Sequence, residues 1–191
     1  MISIFDQLES FTADQLDAAI AQLPPQRREQ ALKFKHEQGR KENVLAYRLL
    51  CKALEDEYGM MEQPVFEYNE HGKPFIASHP EIHFNLSHCK RAVACIVSSK
   101  GRVGIDVECT DRYREGVARY VLNDEEFERV VKSADRDVEF AKYWTQKEAL
   151  VKMLGTGITD DLKSILYTHA DVQMHTVVCR EKGYVYSWCE K

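Results

Sequence analysis

The chain has 191 residues, 44% of them apolar and 30% charged, with a formal net charge of −5. These proportions fit one globular unit, or two small halves sharing a core, and exclude a disordered or fibrous chain. The acid excess argues against a nucleic-acid partner, and no run approaches the ~18 apolar residues of a membrane span.

The first residues, Met-Ile-Ser-Ile-Phe-Asp, lack a basic stretch followed by a long apolar one, so no signal peptide is expected. None of the six cysteines forms a Cys-x-x-Cys pair, which argues against a zinc ribbon or dithiol site. Reduced core thiols and a cytoplasmic location are expected.

In chain order, Thr12 with Gln15 predicts a capped helix carrying Leu16, Ile20 and Leu23. Pro24-Pro25 opens a second helix through Arg27, Arg28 and Phe34, with Gly39 as its expected break. A third carries Val44, Leu45, Leu49 and Leu54 and stops at Gly59. Strands are predicted at 65–68, 82–86, 92–98 and 103–108, with a turn over 69–73. Asn123 with Glu126 marks another helix start, and a long helix covers about 138–154 before Gly155. The tail predicts strands near 164–169, 172–179 and 184–189, the last two paired across Glu181-Lys182-Gly183. Helices followed by strands therefore occur twice, an α+β pattern, with no residue-level repeat.

The clearest chemistry is in Val103-Gly104-Ile105-Asp106-Val107-Glu108. Strand alternation turns the aliphatic residues to a core and Asp106 and Glu108 together to the opposite face, on the order of 7 Å apart, with Gly104 leaving that face open. Such a pair suits a hard cation like Mg²⁺. On the long helix, Trp144, Glu148 and Lys152 share one face. Glu148 is a candidate third carboxylate, Lys152 a candidate phosphate neutraliser, and Lys147 a phosphate contact at the helix edge. The bland alternatives are outward acids on a half-exposed strand and a Glu148–Lys152 surface ion pair.

Phe84-Asn85-Leu86-Ser87-His88 brings polar groups to a strand end, where Ser87 and His88 suit phosphate oxygens. Adjacent residues on an extended chain face opposite ways, so the two are poor nucleophile–base partners. Lys73, fixed by Pro74 in a turn, and Arg27, Arg28, Arg40 and Lys41 are further candidate phosphate contacts; solvated charges are the bland reading.

Four blocks, Gly72-Lys73-Pro74, Phe84–His88, Val103–Glu108 and Trp144–Lys152 followed by Gly155-x-Gly157, occur in an order and spacing that resembles the 4′-phosphopantetheinyl transferase family. The likeness is to its pseudodimeric type, which activates peptide synthetases such as that for surfactin. Pro25–Phe34 resembles the family's basic N-terminal region, although Gln30 stands where a second basic residue is expected. The resemblance implies a Mg²⁺-dependent holo-[acyl-carrier-protein] synthase. Such an enzyme moves 4′-phosphopantetheine from coenzyme A to a serine of an apo acyl or peptidyl carrier protein, releasing adenosine 3′,5′-bisphosphate. It further implies two similar α+β halves, residues 1–101 and 102–191, forming a monomeric pseudodimer with the active site in the cleft between them. By matching position, Asp106, Glu108 and Glu148 would hold Mg²⁺. Arg27, Lys73, Ser87, His88 and Lys152 would bind coenzyme A. Glu148 and Lys152 would be catalytic, with Glu148 as metal ligand, general base or both. A metal-dependent phosphodiesterase or nuclease and a non-catalytic coenzyme A-binding module are the competing readings.

Overall fold

The chain opens on a strand absent from the sequence reading, β1 (Ile2–Phe5), whose four residues pair antiparallel with residues 93–96. Ile2-Ser3-Ile4-Phe5 does not alternate strictly, since Ile4 and Phe5 are both apolar, so its period does not signal a strand. In the computed structural model, which describes residues 1–157 and 162–191, three helices follow. Helix α1 (Ala13–Ala21) starts in the expected capping box of Thr12 and Gln15. Helix α2 (Pro25–Leu32) begins on its proline, and α3 (Glu37–Tyr58) ends at Gly59, whose φ of 66° is the left-handed conformation glycine supplies. Gly39 is not a break. It lies in the first turn of α3, where an added β-carbon would stand 2.9 Å from the Phe34 ring, so it makes room for the chain reversal before the helix.

A short hairpin, β2 (Phe66–Tyr68) and β3 (Pro74–Ile76), precedes β4 (His83–His88), β5 (Val93–Ser98) and β6 (Val103–Cys109). Helices α4 (Glu115–Val121), α5 (Asp124–Lys132) and α6 (Arg136–Leu154) come next. Asn123 and Glu126 cap α5 reciprocally, as their spacing predicts. The segment read as a strand near 164–169 is instead a helical turn, α7 (Ile165–Thr168). There the Ser164 carbonyl accepts from the Tyr167 and Thr168 amides, both at 2.9 Å, and Thr168 Oγ1 donates back to it, a local alternative to strand pairing. Strands β7 (Gln173–Cys179) and β8 (Tyr184–Glu190) form the expected tail hairpin.

The fold is α+β. One antiparallel sheet has the order β1-β5-β4 and another β6-β8-β7. Each runs first strand, last strand, middle strand, with helices inserted after the first. Helix α3 covers one sheet, with Val44, Tyr47 and Leu50 in one cluster with Cys95 and Val97. Helix α6 covers the other, with Ala149 and Met153 beside Cys189. The uncovered faces of the two sheets meet each other through Ala94 and Ile96 of β5 and Ile105 and Val107 of β6. The layers are thus helix, sheet, sheet, helix, and apolar burial drives all three contacts.

The sheets also meet at an edge. Strands β4 and β6 each lie at the end of their sheet, and two β4 side chains satisfy the exposed β6 backbone. Ile105 N donates to Asn85 Oδ1 at 2.9 Å, and Val107 N donates to Ser87 Oγ at 3.2 Å. Buried amides must find acceptors, and here side chains stand in for a neighbouring strand. That joint positions the candidate site.

Candidate active site at the joint between the sheets

Alternation along β6 sends Val103, Ile105 and Val107 into the shared core and Asp106 and Glu108 toward α6. The face is not open at Gly104, contrary to the sequence reading. A β-carbon there would run into the Ala149 carbonyl and stand 2.6 Å from Met153 N. The glycine lets α6 lie directly on the strand, which brings Glu148 and Lys152 over Asp106 and Glu108.

Lys152 Nζ lies 2.6 Å from Asp106 Oδ1, an ion pair linking α6 to β6. Ser87 Oγ donates to the same carboxylate oxygen at 2.7 Å and accepts from Lys152 Nζ at 3.0 Å. Asp106 is only 6% exposed, so its charge needs these partners. Glu108 Oε1 turns back to accept from the Cys109 amide at 2.8 Å. The expected Glu148–Lys152 surface pair is not what Lys152 makes; its partner is Asp106.

Glu148 and Glu108 both feel the charge of Asp106. Burial, then the negative charge of Asp106, push the Glu148 carboxyl above its ordinary value, with Lys152 opposing and Glu108 adding. Burial raises Glu108 too, the Cys109 amide and Arg112 opposing and Asp106 adding. Buried carboxylates that repel one another form a donor set a hard cation would relieve. Among the described residues, no three His, Cys, Asp or Glu side chains are gathered tightly enough to ligate one ion. Asp106 is bound to Lys152 and Glu108 to its neighbour's backbone.

Openings flank the acids. Lys73, Asn85, Glu148 and Lys152 line a groove of about 270 Å³ that reaches Gly155 and Gly157. Glu108 lines another of about 440 Å³ with Lys90, Asp111, Arg112 and Trp144. Asn85 is the residue whose importance the sequence understated: it lines the first groove while accepting from the β6 backbone.

The remaining candidates separate. Lys73 is not a solvated turn residue. Asn69 Oδ1 accepts from the His71 and Lys73 amides and fixes the turn, and Lys73 Nζ donates to the carbonyls of Lys152 at 2.6 Å and Met153 at 3.1 Å. It thereby caps the C-terminus of α6. Burial and the charge of Arg102 push its ammonium down to about 8, while the carbonyl acceptors favour its charged form. Ser87 and His88 face opposite ways, as alternation requires. Ser87 joins Asp106, whereas His88 Nδ1 lies 2.9 Å from Glu42 Oε2 on α3.

Arg27 is 6% exposed, its guanidinium 4.9 Å from the centre of Tyr47 and 5.1 Å from that of Phe66. It donates to Asn43 Oδ1 at 3.2 Å and to Gln30, and its Nε is buried without a hydrogen-bond partner among the described residues. Arg28 caps α1 through the Ile20 and Leu23 carbonyls, Arg40 donates to the Phe34 carbonyl, and Lys41 pairs with Glu37. Lys147 does not reach a helix edge. It is 2% exposed, with Nζ 2.9 Å from Glu126 Oε2 and donating to the Leu162 carbonyl at 2.7 Å.

A family model for the 4′-phosphopantetheinyl transferase superfamily matches residues 102–191. The chain is 29% identical over 156 residues to 4′-phosphopantetheinyl transferase Sfp of Bacillus subtilis (strain 168), covering 80% of this chain and 69% of that one. Against 4′-phosphopantetheinyl transferase AcpT of Escherichia coli (strain K12) it is 37% identical over 141 residues, 71% of this chain and 67% of the other. Identity to 4′-phosphopantetheinyl transferase psf-1 of Bacillus pumilus is 31% over 152 residues, covering 76% and 65%.

Proposed function

The chain belongs to the 4′-phosphopantetheinyl transferase superfamily, and on that premise we propose that it moves the 4′-phosphopantetheine group of coenzyme A onto a carrier-protein serine at the joint between its two sheets. The other product is adenosine 3′,5′-bisphosphate. The observation that carries the placement is the meeting of Asp106, Ser87 and Lys152, from three separate elements, beside Glu148 and an open groove. Acids with a lysine among them suit a pyrophosphate: the lysine neutralises it and a carboxylate accepts the incoming hydroxyl's proton.

In this reading Glu148 takes the proton of the carrier serine. Burial and the charge of Asp106 raise its carboxyl, which makes it a stronger base than an exposed glutamate. Lys152 exchanges its contact with Asp106 for the pyrophosphate. Lys73, Ser87, His88 and Arg27 serve the nucleotide end, Lys73 also holding the helix end that carries Lys152. Asp106, Glu108 and Glu148 would hold Mg²⁺, whose bound form neutralises pyrophosphate charge and stabilises the leaving oxygen.

We also read residues 1–101 and 102–191 as two similar halves of a pseudodimer, with coenzyme A in the cleft between them. The matching strand order of the two sheets, each crossed by a long helix, supports this. A pseudodimer holds its cleft within one chain, so the reading includes a monomer. Among the described residues no helix is long and apolar enough to cross a membrane. A cytoplasmic site of action belongs to the same proposal.

The test mixes the protein with coenzyme A, Mg²⁺ and a panel of apo acyl and peptidyl carrier proteins. Intact mass of at least one carrier should rise by about 340 Da, the mass of the transferred group. No rise on any carrier, with the protein folded, would contradict the assignment.

A further inference from the structure

Both oxygens of the Glu42 carboxylate, on α3, are held. Oε1 accepts from Gln38 Nε2 at 2.9 Å, and Oε2 lies 2.9 Å from His88 Nδ1. The Glu42 side chain is 13% exposed and that of His88 42%. Gln38 Nε2 also donates to the Lys90 carbonyl at 3.4 Å, so the α3 surface is tied to the β4–β5 turn beside the pair as well.

Burial alone would raise the Glu42 carboxyl. The hydrogen bonds from His88 and Gln38 and the charges of His88 and Lys90 outweigh it and hold the group below its ordinary value. A carboxylate only accepts, so His88 Nδ1 carries a proton, the ring is fixed in rotation, and Nε2 is the nitrogen left to meet a ligand. Donation from both ring nitrogens requires a positive imidazole, and Glu42 supplies the counter-charge for it. A ring restrained only by its own side-chain torsions would present Nε2 in several directions.

We propose that Glu42 is a positioning residue for the transfer reaction: by fixing the His88 ring it presents Nε2–H to the 3′-phosphate of coenzyme A, so that the enzyme selects the 3′-phosphorylated donor over 3′-dephospho-coenzyme A. This inference rests on the reading of His88 as a nucleotide contact. Removing the partner that orients a metal-ligating histidine costs about tenfold or more, and the same order is expected for this phosphate-facing one. The loss should appear in KM for coenzyme A rather than in kcat, because the 3′-phosphate is remote from the reacting phosphorus.

The test compares wild type, Glu42→Gln, His88→Ala and the double variant, with coenzyme A and with 3′-dephospho-coenzyme A as donors. Glu42→Gln should raise KM for coenzyme A by about tenfold, leave kcat within about twofold, and leave KM for the dephospho donor unchanged. The double variant should lose no more discrimination than His88→Ala alone, because the two residues act as a unit. If His88→Ala shifts the donor preference and Glu42→Gln does not, the positioning role is overturned while the His88 contact stands. If neither shifts it, the reading of His88 falls and the inference with it. An equal KM rise for both donors would make Glu42 a structural residue only. Should Glu42→Gln unfold, Gln38→Ala removes the other support of the carboxylate and is expected to shift the donor preference in the same direction; unchanged preference there would overturn the proposal.

Discussion

Replacing Lys147 by methionine separates structural from phosphate-binding lysines on α6. The side chain is 2% exposed, and its ammonium serves Glu126 Oε2 at 2.9 Å and the Leu162 carbonyl at 2.7 Å. Methionine fills similar space but leaves the Glu126 carboxylate, 11% exposed, without that cation. Breaking a buried pair from one side costs about 3–5 kcal/mol. For a chain of this size each kcal/mol lowers Tm by about 2–4 °C, so the expected drop is about 6–20 °C. Glu126 also accepts from the Asn123 amide at 3.0 Å in the α5 capping box, so the loss should loosen that helix start as well. The assay is thermal unfolding by circular dichroism, followed by steady-state kinetics at 25 °C on the folded fraction. KM for coenzyme A should stay within about twofold of wild type. Adding Glu126→Gln should recover part of the lost stability, since the stranded charge is then gone. An unchanged Tm with a raised KM for coenzyme A would refute the structural role and return Lys147 to the phosphate site.

Other expected outcomes test the acids. Asp106→Ala should nearly abolish transfer, and calorimetry should show that Mg²⁺ no longer tightens coenzyme A binding; unchanged metal-dependent binding would remove Asp106 from the site. Glu148→Gln should bind coenzyme A nearly normally while turnover falls by roughly 10²-fold, the usual cost of a positioned base. Partial rescue by added metal would add a ligand role, and full activity at ordinary Mg²⁺ would exclude both. Asp6 accepts from Lys182 Nζ at 2.8 Å and Tyr184 Oη at 2.7 Å, which hold its carboxyl below the ordinary aspartate value. A depressed carboxyl contributes stability above about pH 4, where the unfolded residue is ionised, and loses it as pH falls through the folded value. The Tm difference between wild type and Asp6→Asn should therefore be constant at neutral pH and shrink below that point; a difference independent of pH would contradict the linkage.

Local signals reported local structure well. Thr12 and Gln15, Asn123 and Glu126, and the stop at Gly155 were legible because capping and left-handed backbone are decided within a few residues. Alternation along β6 separated the core aliphatics from Asp106 and Glu108 for the same reason. What the sequence concealed depends on contacts distant along the chain. Strand β1 exists because residues 93–96 pair with it. Gly104 reads as an open position on a strand, yet a helix 45 residues on occupies the space. Lys147 and Lys152 both look like surface lysines of one amphipathic helix. Their fates diverge because Glu126 meets one in the interior and Asp106 meets the other at the groove. The adjacent Ser87 and His88 invite a shared role, and strand geometry sends them to different neighbours.

The most direct measurement of the central claim counts both products of one reaction. Purified protein, coenzyme A, Mg²⁺ and a responsive apo-carrier are incubated together. Adenosine 3′,5′-bisphosphate is quantified by chromatography and modified carrier by intact mass. Group transfer predicts equal amounts of the two at every time point, and neither product when the acceptor serine of the carrier is replaced by alanine. Nucleotide released without a matching carrier adduct would show hydrolysis of the pyrophosphate and contradict the account.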